Sequence, residues 1–358
     1  MTSPLSNMDE VSPAPATPEP EDQIRGLSQG RIVFKRFMDH RGAVVGIIVF
    51  LLVLILAVSS IGLGPIPGWW KYSYKDTPDI MNGGHPTLQW LPFHLGEHPF
   101  GQDRVGRDMF AMTMRGAQIS IMIMIIVGVV AAAVGILIGA CSGFFRGKTE
   151  AILMRFTDMI IIIPSLIAAA VIAKSSQQLG GVWFLAVFLG LVSWTGMARL
   201  VRGDFLTLRE REFVDAARLA GASNRRIIFK HILPNAIGVI TVNTTLLMSS
   251  AILTETALSY VGLGVQPPDI SLGKLISDNQ AAFSTRPWLF WWPGLFIVII
   301  CLCVNFIGDG LRDAFDPRQK KFRLKKDKGD QRVAPAPLES PVDDALHGSS
   351  GATEPGLP

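Results

Sequence analysis

Residues 212–235 read EFVDAARLAGASNRRIIFKHILPN. The stretch is charged, Ala-rich and helix-prone, yet apolar runs lie on either side of it. Charges are expensive in hydrocarbon, so this segment does not lie inside a bilayer. It is also too regular for a slack connection. Asp215-Ala216-Ala217 is followed by Gly221, and Leu233-Pro234 closes the stretch before the next apolar run. The pattern predicts a structured loop between membrane spans that docks a soluble partner.

The composition agrees. Of 358 residues, 49% are apolar and only 17% charged, and the mean hydropathy is positive, which moves the chain from the soluble to the multi-spanning membrane class. The net charge of +4 need not mean nucleic acid, because Lys and Arg collect in the inner loops of membrane proteins. The three cysteines, Cys141, Cys301 and Cys303, fall inside apolar runs and read as small apolar side chains. Cys301 and Cys303 are two apart, so a helix turns them to different faces.

Working outward, residues 1–30 are rich in Pro, Ser, Thr and acid and are expected to form a disordered tail, not a signal peptide. Arg31, Lys35, Arg36 and Arg41 precede the apolar run 43–63, giving a first transmembrane segment at 31–63. That basic flank predicts a cytoplasmic N-terminus. Residues 64–117 are then an extracytoplasmic loop, with Trp69, Trp70, Tyr72, Tyr74 and Trp90 suited to a membrane–water boundary. Its His85, His94 and His98 match no familiar zinc spacing and read as loop residues.

Further apolar runs at 119–141, 152–173, 182–197, 236–260 and 289–307 make residues 118–310 a five-helix core, interrupted by the loop 199–235. Six spans return the C-terminus to the cytoplasm, where 311–358 are basic and then disordered. The charge pattern supports this: Arg199, Arg202, Arg209, Arg211, Arg218, Arg225, Arg226 and Lys230 crowd the loop between spans four and five. Arg104, Arg107 and Arg115 are an exception on the outer side, interleaved with Asp103 and Asp108. The expected fold is an all-α membrane protein with six transmembrane helices, both termini cytoplasmic, and a cytoplasmic helix between spans four and five.

Enzyme signatures such as HExxH and GxSxG are missing from the sequence. Residues 142–149, SGFFRGKT, nearly spell a phosphate-binding loop. That loop needs four residues between its first Gly and Gly-Lys-Thr; Gly143 leaves three, Ser142 holds the right position, and no strand precedes it. A short basic inner turn accounts for Arg146 and Lys148. Met109, Met112, Met114, Met122 and Met124 make a poor copper cage and read as a flexible apolar surface.

Ionisable residues inside the spans are few. Asp158 has Arg155 three residues before it, so a local ion pair anchoring the inner end of span three is expected. Pro164 should bend or break that span, which can open a path. Glu255 lies late in span five, just before a Gly-containing run that includes Tyr260; gate and packing roles are both open to it, ahead of direct proton coupling.

Within the loop, Leu206–Ala220 has high helix propensity and stops at Gly221, a natural left-handed residue after a helix. Ala216, Ala217 and Ala220 leave a thin side for close approach of a partner, to whose basic groups Glu210, Glu212 and Asp215 offer negative charge. Ser223 caps a second helix, and Pro234 marks re-entry into the membrane. The alternative reading is an amphipathic helix lying on anionic lipid.

These residues resemble the cytoplasmic loop motif of ABC-transporter permeases, which runs Glu-Ala-Ala, three residues, Gly, nine residues, Ile-x-Leu-Pro. Ala216, Ala217, Gly221, Leu233 and Pro234 match it; Asp215 replaces the Glu and His231 the Ile. HILPN at 231–235 is similar to the variant of the peptide-transporter branch. HPFGQDRVGRDMF at 98–110, ETALSYVGLGVQPP at 255–268 and NFIGDGLRDAFDPR at 305–318 resemble the C-type permease subunit of dipeptide, oligopeptide and nickel importers.

The resemblance implies a subunit and not a whole transporter. It would pair with a homologous second permease and with two ATP-binding subunits, and receive cargo from an extracytoplasmic substrate-binding protein. The chain itself would bind no cofactor, ATP and Mg being held by the ATPases. Glu212, Asp215, Ala216, Ala217, Gly221, Leu233 and Pro234 would form the ATPase-coupling element, and Asp158, Pro164, Glu255 and Tyr260 are pathway or gate candidates. The expected activity is import of short peptides across the bacterial cytoplasmic membrane. Nickel or another small solute is the alternative cargo. A solitary ion-coupled transporter would call for midplane ionisable groups and an internal repeat, neither of which is seen.

Overall fold

The computed structural model describes residues 29–171 and 180–315, and these are mainly helical. Helix α1, Gln29–Asp39, gives way after His40 to α2, Arg41–Ile61. Two short hairpins follow, β1 (Gly62–Leu63) with β2 (Ile66–Pro67) and β3 (Gln89–Trp90) with β4 (Phe93–His94), both antiparallel. Then come α3 (Met109–Phe145), α4 (Gly147–Ile162), α5 (Ser165–Val171), α6 (Gly181–Arg209) and α7 (Glu212–Leu219). The chain ends its described part with α8 (Asn224–Tyr260), α9 (Leu272–Asn279) and α10 (Trp288–Phe315).

Five helices, α2, α3, α6, α8 and α10, are long and apolar enough to cross a membrane, and α4 with α5 makes a sixth span if the bent pair is counted as one. The bend is 76° and falls at Ile163–Pro164. Pro164 has no N–H to continue the α4 ladder, while its carbonyl accepts from Ile167 and Ala168 and so starts α5. The expected break is therefore real. Residues 172–179, which include the last two of the third apolar run, and the tails 1–28 and 316–358 lie outside the described residues. Helix reaches further into the chain ends than expected, α1 starting at Gln29 and α10 continuing to Phe315.

Helices α3 and α8 are each 37 residues, roughly 55 Å at 1.5 Å per residue, well beyond a hydrocarbon core of about 30 Å. The excess places stable helix outside the bilayer. On α3 it carries Met109, Met112 and Met114, which are buried in the core with Phe100, Phe110, Leu272 and Ile300 and do not form the apolar surface expected of them. Asp108 caps this end by accepting from the Ala111 N–H, and binds the Trp70 indole at 2.8 Å and His98 Nδ1 at 2.7 Å. Of the other loop histidines, His85 lies against the Trp288 ring.

The most extensive contact is between α3 and α6. Gly135, Gly139 and Gly143 are spaced i, i+4, i+8 along one face of α3. A Cβ on Gly135 would lie 2.6 Å from Met197 Cβ, on Gly139 2.6 Å from the Ala198 carbonyl oxygen, and on Gly143 2.7 Å from Phe205 Cβ. Gly190 of α6 returns the fit, its hypothetical Cβ 2.7 Å from Val130 Cβ. In lipid no water is released when apolar helices meet, so close van der Waals contact through small residues is what holds such a pair together.

Gly139→Leu should therefore push the helices apart. Overpacking of this kind costs about 1–3 kcal/mol. We expect a lower melting temperature in detergent, or loss of the folded protein, whereas Gly196→Ala, where nothing lies within 4 Å of the added carbon, should melt like the parent.

Candidate functional site

The 212–235 stretch forms a compact unit at one end of the bundle. α6 stops at Arg209, so the helix expected over Leu206–Ala220 is broken at Glu210-Arg211 and resumes as α7. α7 ends in a Schellman turn: the Gly221 N–H donates to the Arg218 carbonyl at 2.9 Å and the Ala222 N–H to the Ala217 carbonyl at 3.0 Å. Gly221 has φ +76°, as that turn requires. Ser223 then caps α8, its Oγ accepting from the Arg226 N–H.

One face of this unit is packed. Val214 and Ala217 of α7 and Ile227, Ile228 and Ile232 of α8 bury against Phe144 of α3 and Phe205 of α6. Arg209 donates to the Phe144 carbonyl at the α3 terminus. The other face is open: Glu212, Phe213, Asp215, Ala216, Leu219 and Ala220 are exposed, Leu219 at 91%. The three alanines thus do not share a side. Ala216 and Ala220, four apart, face outward, and Ala217 is buried against the chain's own core. Asp215 pairs with Arg218 at 3.2 Å and leaves most of its surface in solvent.

Leu233 and Pro234 lie within α8 and not at a chain break. Residues Ile227–Ile232 form a π-helical segment whose last bond runs from the Leu233 N–H to the Ile228 carbonyl, five residues back. Pro234 offers no N–H to the preceding turn, and the wider π spacing absorbs that loss. α8 therefore passes from the α7 unit into the membrane as one continuous helix. Leu233 is half-buried and Pro234 exposed.

The near-phosphate-loop sequence is the turn between α3 and α4. Ser142–Phe145 finish α3, and Arg146 and Gly147 both have positive φ, at +55° and +58°. Above this turn, α4 is held to α6 by two ion pairs: Glu150 with Arg202, and Asp158 with Arg199 at 2.6 Å. The partner of Asp158 is thus on the facing helix and is not Arg155. These four side chains line an open cleft of about 410 Å³ with Gly147, Ala151 and Met154.

Glu255 is completely buried at the opposite end of α8. Its Oε1 accepts from the Ser259 and Ser271 hydroxyls, each at 2.6 Å. Ser271 is the cap of α9, its Oγ accepting from the Lys274 N–H, and the Leu272 N–H donates to Ser120 of α3 at 3.2 Å. Glu255 therefore clamps the start of α9 between α3 and α8, which makes packing its visible role. Tyr260, at the end of α8, is 56% exposed. The site residues so fall into separate groups: the α7 unit at one end, Asp158 and Pro164 along the bent α4–α5 pair, and Glu255 with Tyr260 at the opposite end of α8.

A bundle of apolar spans, one of them broken at a proline, with a packed helical unit carried at one end between α6 and α8, is the architecture of a membrane permease subunit. The chain matches the family of binding-protein-dependent transport system inner membrane components over residues 131–321, and it belongs to that family. It also matches the N-terminal TM domain of oligopeptide transport permease C over residues 28–86. The oligopeptide transport system permease protein OppC of Mycobacterium tuberculosis is 37% identical over 297 residues, 83% of this chain and 97% of that protein. The OppC protein of Bacillus subtilis is 36% identical over 315 residues, 88% of this chain and 98% of its own length. A chain of the MetNI methionine ABC transporter, solved in inward-facing conformations, shares the fold, with TM-score 0.50 over 58% of this chain and 98% of that one at 18% identity.

The clamp makes a graded prediction. Glu255→Ala would strand the Ser259 and Ser271 hydroxyls and open a void, at a cost of roughly 2–4 kcal/mol. Glu255→Gln keeps an acceptor oxygen and should lose much less. Melting of the purified protein, followed by tryptophan fluorescence, measures the order; equal melting of Glu255→Ala and parent would remove the clamp.

Proposed function

We propose that this chain is the permease subunit of an ATP-driven importer of short peptides, with both termini and the α7 unit in the cytoplasm. A homologous second permease completes the pathway, and two ATP-binding subunits hold ATP and Mg. An extracytoplasmic binding protein delivers cargo. The OppC relatives, matched along 97% and 98% of their length, are named as oligopeptide transport permeases, which supports the cargo.

The observation that carries the coupling role is the two-faced α7. Its inner face is locked onto Phe144 and Phe205, so a push on its outer face is passed directly to the ends of α3, α6 and α8. The outer face offers Ala216 and Ala220 for close approach, exposed Phe213 and Leu219 for apolar contact, and Glu212 and Asp215 for basic groups. Nucleotide-driven closure of the ATPases would move α7, and the rigid packing would carry that motion into the spans.

Ala216→Arg keeps helix propensity while putting bulk on the outer face. We expect the protein to insert and melt normally, with ATPase co-purification and peptide uptake lost at least tenfold. Ala217→Arg should behave differently, lowering the melting temperature because the added side chain enters the chain's own core. Normal co-purification with Ala216→Arg would overturn the docking face. For the cargo, a deletion strain should fail to grow on defined peptides as nitrogen source. A defect confined to nickel uptake would overturn the peptide reading.

A further inference from the structure

We propose that α1 is a lipid-binding helix, which lies at the cytoplasmic surface and engages anionic phospholipid through Arg31 and Lys35 above an apolar strip of Phe34 and Met38. The proposal rests on the cytoplasmic N-terminus proposed above.

The geometry places α1 at the membrane boundary. Only His40 separates it from α2, and His40 joins three elements: its backbone N–H donates to the Phe37 carbonyl of α1, its Nδ1 accepts from the Ala43 N–H to cap α2, and its Nε2 lies 3.4 Å from Asp313 of α10. Val33 and Phe37 pack against Ala43 and Ile47 of α2 and Ile307, Leu311 and Ala314 of α10. α1 is thus fastened to the end of two spans and cannot drift from the bilayer surface.

The remaining surface of α1 is ordered in strips. Beside the packed Val33/Phe37 strip lies Phe34/Met38, four residues apart, with Phe34 66% and Met38 49% exposed. Arg31 and Lys35 form the next strip round, both exposed. Between residues 29 and 41 there are four basic side chains and one acid, Asp39. A short helix with exposed apolar groups bordered by cations is built for an acyl–headgroup boundary, and its charge complements anionic headgroups. Helix α2, which begins directly after His40, exposes apolar side chains of its own at Val45, Ile48 and Leu52.

The test uses the full-length chain in nanodiscs, with Cys141, Cys301 and Cys303 replaced by Ala and a bimane label at Phe34→Cys, Met38→Cys or Asp39→Cys. Brominated phosphatidylcholine or brominated phosphatidylglycerol serves as quencher. We expect labels at 34 and 38 to be quenched several-fold more than at 39. A minority of phosphatidylglycerol should be favoured over phosphatidylcholine by about fivefold for each basic side chain that touches it. Arg31→Gln with Lys35→Gln should abolish that preference and leave the remaining quenching. Unquenched labels at 34 and 38, as a covering protein partner would produce, or equal quenching by both lipids in the parent, would overturn the proposal. Sidedness is read separately: reaction of the Asp39→Cys thiol with an impermeant reagent in intact cells would overturn the cytoplasmic N-terminus, whatever the quenching shows about lipid.

Discussion

The seam between α3 and α6 is the contact on which the other placements rest. Two helices in hydrocarbon gain little from merely being apolar, since lipid tails serve as well; they gain from contact closer than lipid can make. Gly135, Gly139 and Gly143 remove three side chains from one face of α3, and Met197, Ala198, Val201 and Phe205 of α6 fill the space. Because the seam extends to the ends of both helices, Phe144 and Phe205 meet just where α7 docks. The α7 unit therefore inherits its position from helix packing deep in the bundle, which holds it rigidly.

Polar groups supply the second layer of organisation. A buried polar side chain needs a partner, and in this bundle the partner usually lies on another element. Gln118 of α3 donates to the Ala57 and Gly62 carbonyls at the end of α2, Glu255 of α8 holds the cap of α9, and Arg115 of α3 reaches Asp269 at 2.8 Å. At the other end, Arg199 and Arg202 of α6 hold Asp158 and Glu150 of α4. α4 has only Thr157 buried and meets α6 through these ion pairs and through Phe156, which stacks on Trp194.

Much of this was legible in the residues. The spans, the break at Pro164 and the left-handed Gly221 follow from local rules: hydrocarbon thickness, the missing proline N–H and the Schellman turn. The glycine seam also had a signal, three glycines at i, i+4, i+8 in an apolar run, which reading the runs by hydropathy alone passes over. Other features had none. Arg155 is the helical neighbour of Asp158, but the facing helix brings Arg199 nearer. Likewise Glu255 meets Ser259 within its own helix, but nothing in that run foretells Ser271, sixteen residues on.

Bilayer thickness and the cost of buried charge act on every residue regardless of its neighbours, so a multi-spanning chain with a patterned, charged loop between its fourth and fifth apolar runs could be read from the residues alone. Which face of that loop is free depends on packing. Ala216 and Ala217 are chemically identical and adjacent, and local rules give each the same helix propensity. Phe144 and Phe205, brought together by the α3–α6 seam, bury Ala217 and leave Ala216 open, since a helix turns successive side chains by about 100° and only one of the two can face the core.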